Sequence, residues 1–369
     1  MAILKLVGDS QAKVFSLPIQ EWQRRSWGLA GLEDADGAIV ANGSWVLSAN
    51  LAAAVVDTPG VALVTGDDDG LRLIASHTLN AAQTEEIAEL ISAGAVTVSA
   101  IEALNLKPVK ATDIAQPFNR KLRKREAPWA IDTTDGVTAA ERALFNSAYK
   151  GATDLVTKFV WPKPAIIATR FSARLGITPN QITTVSLIFV LLALYFFTQG
   201  QWALGITCGW LMTFLDTVDG KLARTTITSS RWGHRFDHGI DIIHPPFWYI
   251  AWVEGIRVTT ETTPEWLYPA LYVILAFYLI GRLIERKFRK THGFHIHVWR
   301  QIDSVFRVIT ARRNPNMLIF MIFCMIDMPA EGVLAVAIWS VLSNGFHILR
   351  LFQAGLNRTT PPQVSWLGT

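Results

Sequence analysis

Cysteine is nearly missing from this chain: among 369 residues only Cys208 and Cys324 carry a thiol, both in apolar stretches. That excludes a disulfide framework and leaves two small hydrophobes. Charge is scarce as well, at 17% of residues, and the net balance of +4 is modest, so its distribution says more than its sum. No secretory leader is expected at Met1–Lys13, which turns polar before a long apolar core develops. What is abundant is apolar and aromatic: half of the residues are hydrophobic, with 14 Trp and 19 Phe. The mixture predicts a membrane protein that carries a soluble part.

The composition changes near residue 115. Residues 1–115 contain short β-rich runs at Ile3–Val7, Ala38–Val40 and Val61–Thr65, alternating with helical patterns near Gln20–Gly31 and Glu85–Ala93. This predicts a small cytoplasmic α/β domain without catalytic function of its own. Asp67-Asp68-Asp69-Gly70 reads as a solvated turn rather than a metal site. A basic linker follows at 116–138, with Arg120, Lys121, Arg123, Lys124 and Arg125 between Pro117 and Pro128. An anionic lipid surface suits that run better than nucleic acid, each basic residue near it contributing about 1 kcal/mol.

Residues 139–355 are expected to form the membrane domain, and 356–369 a C-terminal tail. From Ala139 to Leu175 apolar and basic positions mix, as in an amphipathic helix at an interface, interrupted at Pro162 and Pro164. Six apolar segments follow, at about 181–199, 202–219, 235–255, 265–284, 315–328 and 331–352. The fold class predicted is therefore a multi-pass α-helical membrane protein, with six transmembrane helices, an interfacial helix and an N-terminal α/β domain. Basic residues crowd alternate loops: Lys221, Arg224, Arg231 and Arg235 in one, and Arg282 through Arg313 in another. The opposite loops hold Arg257 alone. The positive-inside rule then places both termini and the second-to-third-span loop in the cytoplasm, as expected of a bacterial-type inner-membrane protein.

That loop carries the informative pattern. It runs Asp216-x-x-Asp219-Gly220-x-x-Ala223-Arg224, then eight residues to Gly233, then x-x-x-Asp237-x-x-x-Asp241. Carboxylates three or four apart share one helix face, so each of two helices presents a pair. A charge at membrane depth costs about 2.5–3.5 kcal/mol on insertion scales, so four acids there call for compensation. A divalent cation supplies it, and oxygen ligands favour magnesium, manganese or calcium. Four converging carboxylates could hold one or two such ions for displacement at phosphorus. Gly220 and Gly233 leave room for close backbone approach, Ala223 for a bulky ligand, and Arg224 can grip phosphate through two hydrogen bonds.

This string resembles, position for position, the signature of the CDP-alcohol phosphotransferase superfamily (also called CDP-alcohol phosphatidyltransferases). The stretch Arg170-Phe171-Ser172-Ala173-Arg174-Leu175-Gly176-Ile177-Thr178-Pro179-Asn180-Gln181-Ile182-Thr183 is similar to the family's entry to its first span, and the likeness covers about residues 140–350. The resemblance implies transfer of a substituted phosphoryl group from a CDP-alcohol to a second alcohol, with release of CMP, in phospholipid or related phosphodiester synthesis. It implies that Asp216, Asp219, Asp237 and Asp241 hold Mg2+ or Mn2+, as two ions. It implies Asp241 as the base on the acceptor hydroxyl, and Gly220, Ala223, Arg224 and Gly233 along the CDP site. A homodimer follows from the same likeness, with a lipid as donor or acceptor. Arg307, Arg312 and Arg313 enter from the same side and could hold a phosphorylated acceptor, or serve only as positive-inside anchors.

His234, His238 and His244 lack the Cys or His partners of a zinc site. Trp248, Tyr249, Trp252, Trp266 and Tyr268 are expected to form an interfacial aromatic belt. The N-terminal domain faintly resembles a reduced inositol-phosphate nucleotidyltransferase, but Val7-Gly8-Asp9-Ser10 leads into no Gly-rich nucleotide loop. Two other functions compete: an ion transporter using the intramembrane acids, and a membrane scaffold with a vestigial transferase site. The clustering of the acids at one membrane face disfavours the first, and the intact motif disfavours the second.

Overall fold

The computed structural model describes residues 3–66, 70–119, 122–356 and 364–368. The Asp67–Asp69 cluster and the first two basic residues of the linker, Arg120 and Lys121, lie outside the described residues. The chain forms two compact units: 1–149 with 173–175 and 222–228, and 150–172 with 176–221 and 229–369.

The first unit is built on a five-stranded sheet of β1 (Ile3–Val7), β2 (Ala38–Asn42), β3 (Val61–Thr65), β4 (Arg72–Thr78) and β5 (Lys107–Val109), in the order β1-β2-β4-β3-β5. The outer pairs β1–β2 and β3–β5 are parallel, and the inner pairs are antiparallel. A parallel pair needs a crossover, and α1 (Ile19–Leu29) lies on the one joining β1 to β2. Both faces of the sheet are covered. Ile39, Ala41, Leu63 and Ala75 pack with Trp27 of α1 and with Leu51 and Val55 of α2 (Ala49–Val56). The alternate positions Val40, Ala62 and Val64 pack with Ile87 and Ile91 of α3 (Ala81–Ala93), and Leu73 joins them where a register shift in the β3–β4 pairing turns it to that face. The period-two alternation of the strands thus builds two apolar layers rather than one.

The stretch after β5 is also part of this unit. Ala130–Asp132 pairs antiparallel with Trp45–Leu47, and α4 (Thr138–Ser147) buries Leu144 and Phe145.

The second unit is helical. A single π-helical turn at Val156–Val160 leads into α5 (Pro162–Arg174). Pro162 is its first residue, where the missing N–H costs nothing. The sequence expectation of a break at the prolines is thereby resolved into a helix start. The helices α6 (Pro179–Thr198), α7 (Trp202–Thr225), α8 (Arg231–Thr259) and α9 (Leu267–His292) follow. The short α10 (Gln301–Phe306), then α11 (Arg313–Met325) and α12 (Pro329–Leu356), complete the unit. Each of the six apolar segments read from the sequence is a helix. Among the described residues three of them, α6, α9 and α12, are long and apolar enough to cross a membrane. α11 has 13 residues, short of the ~20 a bilayer needs, while α7 and α8 carry the polar residues of the aspartate motif.

α6 begins with a reciprocal cap: Thr178 Oγ1 accepts from the Gln181 amide, and the Gln181 side chain accepts from the Thr178 amide. α8 packs along α6, and α9 along α12. The α6–α8 approach is close because Gly255 has no side chain. A Cβ there would sit 1.9 Å from the Phe197 carbonyl oxygen. Beside this contact Trp252 stacks on Phe320 with ring centroids 4.1 Å apart, while Phe197 meets Trp248, Trp252 and Phe320 edge-on. Trp248, Tyr249 and Trp252 are therefore core residues, and the expected interfacial belt is corrected at those positions. Their polar atoms are turned inward: Trp248 Nε1 donates to the Val190 carbonyl, and Asn316 Nδ2 donates to the Tyr249 hydroxyl. Inside a helix bundle an aromatic side chain with a hydrogen-bonded polar tip is as well placed as at a headgroup layer.

Candidate active site

The carboxylates come from two helices. Asp216 and Asp219 lie one turn apart near the end of α7, and Asp237 and Asp241 lie one turn apart near the start of α8. The connection is short, and Ser230 caps α8 by accepting from the Gly233 amide at 2.9 Å. Oxygens of Asp216, Asp219 and Asp237 lie within 4.8 Å of one another. Three ionised carboxylates at that spacing repel one another, and their all-oxygen donor set fits a hard divalent cation.

Two further side chains hold this set in place. Thr183 Oγ1, on the first turns of α6, donates to Asp219 Oδ2 at 2.5 Å, and Asp219 is buried. Arg313, at the start of α11, donates from Nη1 to Asp241 Oδ1 at 2.6 Å and from Nη2 to Asp216 Oδ2 at 2.8 Å. Asp241 thus joins the other acids through a shared guanidinium rather than as a member of the converging triplet.

Behind Arg313 the network continues. Its Nε donates to Asn314 Oδ1, and Asn314 Nδ2 donates to Asp154 Oδ1 at 3.0 Å. Thr157 donates to Asp154 from both its amide and its hydroxyl. Burial alone would raise the Asp154 pKa, but the nearby Arg307 charge and the hydrogen bonds from Asn314 and Thr157 hold it below the ordinary carboxylate value. The start of α11 is therefore anchored to the segment before α5 by buried polar contacts.

The remaining residues named from sequence fall as follows. Gly220 follows Asp219 on α7, and Ala223 and Arg224 occupy its last turn. A Cβ on Gly233 would lie 2.5 Å from Asn180 Oδ1, so this glycine permits the close passage of α8 beside the α6 N-terminus. Arg307 and Arg312 are both drawn into buried polar clusters. Arg307 lies near Asp154, while Arg312 pairs with Glu285, which also hydrogen-bonds His297 at 3.1 Å. Arg313 hydrogen-bonds two of the motif aspartates.

Thr183, Asn314 and Asp154 were missed as site residues by sequence reasoning. Thr183 ends the stretch that resembles the family's entry to its first span, and Asn314 directly precedes the fifth apolar segment, which is a signal of place though not of role. Asp154 carries no signal, since its link to the site runs through Asn314, 160 positions away in the chain.

Residues 176–339, which include every motif aspartate and Arg313, match the family model described as CDP-alcohol phosphatidyltransferase. A bifunctional IPC transferase and DIPP synthase from Thermococcus kodakarensis is 25% identical over 230 residues, covering 60% of this chain and 49% of that protein. An archaetidylinositol phosphate synthase from Pyrococcus horikoshii is 46% identical over 70 residues, 19% of this chain and 37% of that protein. The chain thus spans about half or less of the length of these curated relatives. A crystal structure of Mycobacterium tuberculosis phosphatidylinositol phosphate synthase, in complex with manganese and citrate, aligns over 50% of this chain and 88% of its own, with 18% identity and a TM-score of 0.41. Over residues 176–339 the chain thus matches the CDP-alcohol phosphatidyltransferase domain.

Proposed function

We propose that this protein is an integral membrane CDP-alcohol phosphotransferase, acting in phospholipid or related phosphodiester synthesis. The observation that carries the reading is the convergence of Asp216, Asp219 and Asp237 within 4.8 Å, inside the segment that matches the family.

In this reading Asp216, Asp219 and Asp237 hold Mg2+ or Mn2+, with Asp241 beside them. When bound, the ions neutralise charge on the diphosphate and on the departing CMP. The chain's own residues do the rest. Asp241 takes the proton from the acceptor hydroxyl. The acceptor oxygen forms a bond to the phosphorus of the alcohol-bearing phosphoryl group, and the bond from that phosphorus to the CMP oxygen breaks. Gly220, Ala223, Arg224 and Gly233 line the nucleotide side. The basic cluster of Arg307, Arg312 and Arg313 faces the acceptor, with Arg307 near Asp154 and Arg312 paired with Glu285.

The six-span reading is proposed with it, the termini and active site lying on the cytoplasmic side and two copies forming a dimer. Exposed apolar side chains support burial in lipid: Ile188 and Leu191 on α6, Leu279 and Leu283 on α9, and Leu342 and Leu349 on α12. On α5 the exposed Ile167 and Phe171 sit one turn apart, beside Lys163, Arg170 and Arg174. That is the make-up of a helix lying in the headgroup layer. The N-terminal sheet domain serves docking or regulation.

The test is CMP release by the full chain in lipid nanodiscs with Mg2+. CDP-diacylglycerol and CDP-linked polar alcohols would be crossed with inositol, glycerol phosphate and lipid acceptors. Release from one donor–acceptor pair, lost in Asp241→Asn, establishes the reaction. Silence across the panel, with no metal-dependent CDP binding, leaves the scaffold reading in its place.

A further inference from the structure

Arg313 occupies the position of a cation. Its guanidinium is mostly buried, always charged and planar, and its fork meets one carboxylate from each of two helices. One of those acids, Asp216, also belongs to the converging triplet. A divalent ion and the guanidinium thus claim the same carboxylate. Its Nε donates to Asn314 Oδ1 at 3.1 Å, and Asn314 is held in turn by Asp154. Nε, Nη1 and Nη2 share one rigid plane, so the guanidinium moves as a unit, by rotation of the aliphatic stem between the backbone and Nε. Rotation of that stem carries the whole fork toward or away from the acids.

We propose that Arg313 is an exchangeable internal counter-ion, bridging Asp216 and Asp241 when no divalent cation is bound and giving up Asp216 when one enters. The inference rests on the cation reading above. In the cation-free protein the bridge keeps α7, α8 and α11 in register against repulsion between their acids. In the presence of cation it weakens apparent affinity, because each binding event must first displace the guanidinium.

The test is Mn2+ binding to the full chain in nanodiscs, read from the loss of the free-ion electron paramagnetic resonance signal, together with thermal unfolding in EDTA. Wild type is compared with Arg313→Lys and Arg313→Gln. Lysine keeps the charge but lacks the planar fork that meets Asp216 and Asp241 together, so it separates exchange from simple repulsion and remains informative where the glutamine variant fails to fold. Exchange predicts Mn2+ binding at least threefold tighter in Arg313→Lys and tighter again in Arg313→Gln. Both variants should melt lower than wild type in EDTA and recover with Mn2+. Lysine equal to wild type, with only glutamine tighter, overturns the exchange, as does weaker binding in either variant. If neither wild type nor variants bind Mn2+, the cation reading beneath it is overturned instead.

Discussion

Thr183→Val removes one hydroxyl and little else, and its effect can be worked from the geometry. Thr183 Oγ1 lies 2.5 Å from Asp219 Oδ2, and both residues are at most 5% exposed. A hydrogen bond to a charged group contributes about 1.5–3 kcal/mol. The bond also fixes which way the carboxylate turns, and with it which oxygen faces Asp216 and Asp237. Loss of such an orienting partner typically lowers metal affinity or activity by about 10–100-fold. We therefore expect Mn2+ binding about tenfold or more weaker in Thr183→Val, with CMP release falling in parallel at fixed metal and partly restored by excess Mn2+. Thr183→Ser keeps the donor and should stay within about threefold of wild type if the hydroxyl is what acts. The assay is Mn2+ titration of both variants in nanodiscs. Unchanged affinity in Thr183→Val would refute the reasoning that α6 orients the acids.

Other consequences can be checked independently. Asp241→Asn should lower CMP release by about 100–10,000-fold, the usual share of a general base, while leaving CDP binding largely intact. Gly255→Ala forces a methyl against the Phe197 carbonyl and should destabilise the bundle by about 1–3 kcal/mol, seen as a lower unfolding midpoint. Trp252→Ala empties the stack on Phe320 and should cost about 3–5 kcal/mol by the same measurement. Asp154 has a folded pKa below its ordinary 3.8, so its contribution is fully present above that value and is lost as pH falls through the folded pKa. Thermal melts from pH 5 downward should thus show wild type losing its margin over Asp154→Asn.

The helices and the aspartate pattern were legible in sequence because each leaves a local trace. Apolar runs mark α6 to α9, α11 and α12, Thr178-Pro179 and Gln181 mark the start of α6, and three- and four-residue spacings put the acids on shared faces. β1 and β3 carry β-rich runs that match their observed limits. What was not legible depends on partners distant in the chain. The Trp248–Tyr249–Trp252 cluster looks like a headgroup belt by composition, yet Phe197 and Phe320 enclose it. Arg313 reads from sequence as an acceptor-phosphate ligand or a positive-inside anchor, until α11 is laid beside α7 and α8, where its fork spans Asp216 and Asp241. Asp154 has no motif at all; its link to the site runs through Asn314 and Arg307.

Equilibrium binding of a CDP-alcohol to the nanodisc-embedded protein, titrated with Mn2+, tests the central claim most directly. The account predicts that CDP binding requires the cation, is abolished by EDTA, and is lost in Asp237→Asn while that variant remains folded. CDP binding that is indifferent to Mn2+, or that survives Asp237→Asn unchanged, would contradict it.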